Sequence, residues 1–114
     1  MTIFEFSLQG NSWTKAPLSA LGKPFPFGRA IGYEGEVPRV VFNSTDRHVH
    51  ELSINQATGA WQQFDMTAAT GAPAAAGDPF GYFATVPRVV FRSGDGHIHE
   101  LSINPATGTW QASR

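Results

Sequence analysis

Apolar and β-branched residues fall in short runs along this chain, each closed by a cluster of turn formers. PRVVF (38–42) and HVHELSI (48–54) are separated by NSTDR, and PRVVF (87–91) and HIHELSI (97–103) by RSGDG. Runs this short, rich in Val, Ile and Phe and bounded by Gly, Asn, Asp and Ser, predict strands joined by hairpin loops. NQATG and NPATG supply the next turn, and AWQQFDM (60–66) and TWQAS (109–113) a further strand. PFGRAIGYE (26–34) and PFGYFAT (79–85) predict the strand that leads into each PRVVF. TAATGAPAAAGDP (67–79) holds no helical period and too many breakers for a helix.

The same pattern is written twice. VPRVVFNSTDRHVHELSINQATGAW (Val37–Trp61) and VPRVVFRSGDGHIHELSINPATGTW (Val86–Trp110) match with a constant offset of 49, seen at Arg39 and Arg88, His48 and His97, Glu51 and Glu100, and Trp61 and Trp110. A weaker third copy opens the chain: TIFEFSLQGNSW (Thr2–Trp13) sets Glu5 on Glu51 and Trp13 on Trp61, with two residues missing from the turn. Four antiparallel strands per repeat of 40 to 50 residues predict β-propeller blades. The fold class expected is therefore all-β, with two full blades preceded by an N-terminal half blade. As one domain over 1–114, it divides into a half blade and linker (2–26), a blade (27–67), a linker (68–79) and a blade (80–114). A β-trefoil or a small sandwich is the competing arrangement. Two blades cannot close a ring, and an open pair bares apolar faces, so the ring is expected to close by homo-oligomerisation, as a trimer before a dimer.

Charge is nearly balanced, with a net −1 and a pI near 6.4, and no basic patch supports a nucleic-acid partner. Cysteine is absent, which excludes disulfides and thiolate sites and leaves the redox compartment open. MTIFEFSLQG has no basic segment followed by a long apolar run, so no secretory signal is expected, and no apolar stretch is long enough for a membrane helix. No nucleophile elbow or Gly-rich phosphate loop marks an enzyme, and Asp46, Asp65, Asp78 and Asp95 fall in turns or loop segments.

Arg, Glu, two His and Trp are kept in both full copies. If Asn43–Arg47 form a five-residue loop, Phe42 faces His48, Val41 faces Val49, and Arg39 faces Glu51, with Arg88 opposite Glu100. Opposed side chains lie about 5 Å apart at Cβ on one face. Such a pair is either a cross-strand ion pair that fixes register or a clamp for a sugar diol, with Arg donating in a planar fork and Glu accepting. Trp61 and Trp110 would supply the apolar wall for a pyranose, or pack between blades. His48 and His50, and likewise His97 and His99, alternate along a strand and share a face. Two ligands are too few for a structural zinc, so no metal is expected and the imidazoles are read as inter-blade hydrogen bonders.

PRVVFRSGDGHIHELSI, with its Trp and GAPAAAGDPFGY, resembles the blades of bacterial β-propeller lectins of the Photorhabdus type. More distantly it is similar to the fucose-binding propeller lectins of fungi and bacteria. The resemblance spans Val37–Trp110 and, more weakly, the first 36 residues. It implies a multivalent lectin without metal or other cofactor. Its sites between blades would bind fucose or galactose-type glycans through Arg39, Glu51, Trp61, Arg88, Glu100 and Trp110. The turn before each Trp is longer here than in that family, and the first copy has no preceding Arg. The rival readings are a non-binding propeller fragment whose Arg–Glu pairs only fix register, and an enzyme with a site between subunits.

Overall fold

A computed structural model of the chain describes residues 3–9, 12–17 and 26–113. Residues 1 and 2, residues 10 and 11 of the third copy, the stretch 18–25 of the expected half blade and linker, and Arg114 lie outside the described residues. Among the described residues the fold is all-β, with two four-stranded antiparallel sheets, a two-stranded hairpin and one short helix. The hairpin pairs β1 (Phe4–Gln9) with β2 (Ser12–Pro17). The first sheet runs β3 (Pro26–Gly35), β4 (Val37–Ser44), β5 (Val49–Ile54) and β6 (Trp61–Asp65) in sequence order. After helix α1 (Met66–Thr70), the second sheet repeats the meander as β7 (Phe80–Ala84), β8 (Val86–Arg92), β9 (Ile98–Ile103) and β10 (Trp110–Ser113). Among the described residues no helix is long and apolar enough to cross a membrane.

Register confirms the repeat at the level of single residues. Ile54 pairs with Trp61 and Ile103 with Trp110. In the N-terminal hairpin Leu8 pairs with Trp13, the positions that the shortened third copy assigns to Ile54 and Trp61. One expected register is corrected. Phe42 pairs with His50, Val41 with Glu51 and Arg39 with Ser53, two residues on from the five-residue loop. The second sheet does the same, pairing Arg88 with Ser102 and Val90 with Glu100.

The cause is a tighter tip. Ser44 N–H donates to the His48 carbonyl (3.1 Å) and Arg47 N–H to that of Ser44 (2.9 Å), leaving three residues in the loop. The last of them takes the left-handed conformation, Arg47 at φ 69° and Gly96 at φ 85° in the second copy. The Asp46 side chain holds the tip, accepting from His48 N–H (3.0 Å) and from the Ser44 hydroxyl. Because the shift is even, every side chain keeps its face. Arg39 and Glu51 become diagonal neighbours, still within reach of a long side chain.

The segment 67–79, expected to be helix-free, begins with one helical turn. Asp65 caps it by accepting from Ala68 N–H (3.0 Å), and Gly71, at φ 73°, ends it by donating to the Thr67 carbonyl (3.0 Å). Five residues are too few to show a period, and the turn is held by tertiary contacts. Met66 is fully buried, and Thr67 Oγ1 accepts from Val49 N–H (2.8 Å). Farther on, Ala75 N–H donates to the Arg47 carbonyl (2.9 Å) and Ala76 N–H to that of Arg92 (2.7 Å), so the connection ties both hairpin tips together.

The main core lies between the two sheets. Val41 and Val49 of the first sheet meet Val89, Phe91 and Leu101 of the second, with Met66 and Ala75 filling in. The opposite face of the first sheet gathers Phe42 and Leu52 with Val40, Trp61 and, from the start of the chain, Ile3. Face assignment follows from pairing: odd-numbered residues of β4 and β5 look toward the second sheet, even-numbered ones away from it.

Candidate functional site

Each sheet carries a triad made by its first three strands. In the first, Arg39 Nη1 donates to Glu51 Oε1 (2.7 Å) and Tyr33 O–H donates to Glu51 Oε2 (2.7 Å). In the second, Arg88 Nη1 meets Glu100 Oε1 at 2.9 Å and Tyr82 O–H meets Glu100 Oε2 at 2.6 Å. Each Arg has a second task. Arg39 Nε donates to the Gly35 carbonyl (2.7 Å), and Arg88 Nε to that of Ala84 (2.9 Å). The residues that follow, Glu36 and Thr85, sit at φ 72° and 71°, a region that costs a side-chain-bearing residue about 1–2 kcal/mol. The guanidinium thus braces a strained turn while holding the carboxylate.

The two triads differ in their surroundings. Side chains of Arg39 and Glu51 are 12% and 2% exposed, those of Arg88 and Glu100 30% and 28%. The first triad faces the second sheet; the second lies on the face of its sheet turned away from the first. Burial pushes the Glu51 carboxyl above its ordinary value, against the Arg39 charge and the hydrogen bonds from Tyr33 and Arg39. Burial likewise pushes the Tyr33 phenol far up, reinforced by the Glu51 charge. Tyr82 is raised first by its hydrogen bond to Glu100.

Between the sheets, above the core, a cleft of about 780 Å³ is lined by Arg39, Glu51, Ser53, Phe64, Thr109 and Trp110, among others. Trp110 comes from the second repeat, and its ring lies 6.0 Å from the Arg39 guanidinium carbon. Of the six site residues read from the sequence, Arg39, Glu51 and Trp110 are therefore brought together. Arg88 and Glu100 form the same pair elsewhere, and Trp61 stands on the far face of the first sheet with Phe42 and Leu52. Tyr33 and Tyr82 escaped the sequence reading, although they too are 49 apart and each pairs with its Arg in register.

In each sheet the imidazoles lie on the face opposite its triad, near the hairpin tip. His50 stacks on Phe42 and His99 on Phe91, each at 5.5 Å between ring centroids. His48 Nδ1 lies 2.8 Å from Asp65 Oδ2, a hydrogen bond that raises its pKa, whereas burial lowers that of His50. Comparison with protein-family models, curated proteins and solved structures finds no match.

Proposed function

We propose that the chain is a carbohydrate-binding protein whose four-stranded sheets are propeller blades and whose sugar site is the cleft between them. The observation that carries this reading is the convergence of Arg39 and Trp110 from two repeats across one open cleft. Two bonds take two of the five guanidinium N–H donors, and the rest can serve sugar hydroxyls. Trp110 offers its ring to the C–H face of a pyranose, with Phe64, 41% exposed, on the facing strand. Glu51, nearly sealed, acts from behind by fixing the fork of Arg39. Fucose or a related monosaccharide is the ligand expected.

Fucose-resin binding and a glycan array test this. Trp110→Ala should weaken binding at least tenfold while a thermal melt shows the protein folded, and Trp61→Ala should leave this cleft's affinity unchanged. No wild-type binding to any arrayed glycan would instead support the scaffold reading, which the deep burial of Glu51 favours.

We infer in addition that a second copy covers the open face of the second sheet. Val49 is fully buried, yet its repeat partner Ile98 is 59% exposed, on the same face of the sheet as Phe80 at 54% and the half-open Arg88–Glu100 pair. A face built like one that is covered in the same chain calls for the same kind of cover. Several weak sites in one ring would then act together on a glycan-coated surface. Light scattering at micromolar concentration should give a multiple of 12.3 kDa, and a folded monomer there would contradict the ring.

A further inference from the structure

We propose that Asp46, His48, His50 and Asp65 form a binding site for one divalent cation of the zinc class. One ligand atom from each lies within 4.8 Å of all the others. His48 Nδ1 is 2.8 Å from Asp65 Oδ2 and 3.7 Å from Asp46 Oδ2, and His50 Nε2 is 3.7 Å from Asp46 Oδ1. A tetrahedral cation with bonds of about 2.0–2.1 Å separates its ligand atoms by roughly 3.3 Å, a value that the separations of 2.8 and 3.7 Å bracket. Two imidazoles and two carboxylates are a borderline nitrogen and oxygen set that suits zinc better than calcium or magnesium.

The independent sign of a ligand is His50. Its side chain is 3% exposed, and Nε2 has no hydrogen-bond partner although it points at the Asp46 carboxylate. A buried ring nitrogen in that state is costly unless something else engages it. Gln63 supplies the missing half of the arrangement. Its amide nitrogen lies 3.3 Å from His50 Nδ1, and its Oε1 is buried without a partner. Turning that amide over lets Nδ1–H donate to Oε1, which satisfies the oxygen and leaves the Nε2 lone pair directed into the cluster. A metal-bound imidazole is typically held in this way by an outer acceptor. At His48, the cation replaces the proton now shared with Asp65.

The second repeat is an internal control. Among the described residues it gathers Asp95, His97 and His99, and His99 Nε2 is already 3.1 Å from the Ser93 hydroxyl. The residue 49 beyond Asp65 is Arg114, no ligand. The site reading is independent of sugar binding.

Calorimetric titration of chelator-treated protein with zinc chloride tests it. One equivalent should bind per chain, and cobalt in its place should give the visible bands of a four-coordinate ion. His48→Gln should lower zinc affinity at least tenfold. So should Asp65→Asn, which keeps an oxygen to cap α1 and serves if the first variant does not fold. Asp95→Asn with His97→Gln should change nothing. No zinc binding at tens of micromolar, unchanged affinity in both first-repeat variants, or loss of binding in the second-repeat variant would each overturn the site.

Discussion

Glu51→Ala is expected to cost about 3–5 kcal/mol of stability, whereas Glu100→Ala, the same deletion one repeat later, should cost about 1 kcal/mol or less. Chemistry is identical at the two positions: an Arg bond, a Tyr bond and an Arg brace to a turn carbonyl. Only the surroundings differ. At Glu51 the second sheet largely excludes water, so the deletion strands a guanidinium that is 12% exposed and a half-buried phenol. At Glu100 water reaches both partners and replaces what is lost. Urea unfolding of the two variants, at concentrations where light scattering reads a single chain, checks the difference. Equal losses there would mean that burial does not set the worth of the pair.

A second large effect is expected from a single methyl group. Gly81→Ala would place a Cβ 2.3 Å from two ring carbons of Tyr33, at the point where β7 approaches β3. No flexible chain end stands there to yield, because the ring is tied by its hydroxyl to Glu51. The ring must swing, the Glu51 bond must stretch and the sheets must part. The cost belongs at the upper end of the about 1–3 kcal/mol typical of overpacking. Gly32, its repeat partner, has only the Arg39 carbonyl at 3.7 Å from its would-be Cβ, and Gly32→Ala should be close to neutral. Thermal melts of both variants test the pair, and a tolerated Gly81→Ala would show the inter-sheet contact to be loose.

The strand pattern and the period of 49 were legible because both are written in residue types. Register was not legible to the last step, since NSTDR closes equally well as a five-residue or a three-residue loop. The choice rests on the Asp46 side chain and on Arg47 entering the left-handed region. α1 was missed for a related reason: its cap residues were visible, but only Met66 burying itself between the sheets makes five residues helical. Arg39 and Glu51 could be named as partners from spacing alone. That Trp110 and not Trp61 would meet them depends on which face of each sheet the neighbour covers, and periodicity within one strand does not carry that information. Asp65 lay hidden as a ligand because it comes from β6, far along the chain from its histidines.

Because the two sheets agree in register strand for strand, their hairpins are interchangeable parts. A β8–β9 hairpin presents nearly the same edges as β4–β5, so a folding chain offers each incoming strand two well-matched places, one in its own repeat and one in the other. A neighbouring chain doubles the choice again. Folding from dilute solution then favours the local partner, with its small closure entropy, while crowding rewards exchange between molecules. Near-identity, useful for building a repeating surface, thus makes the yield of correctly threaded protein a matter of concentration and time.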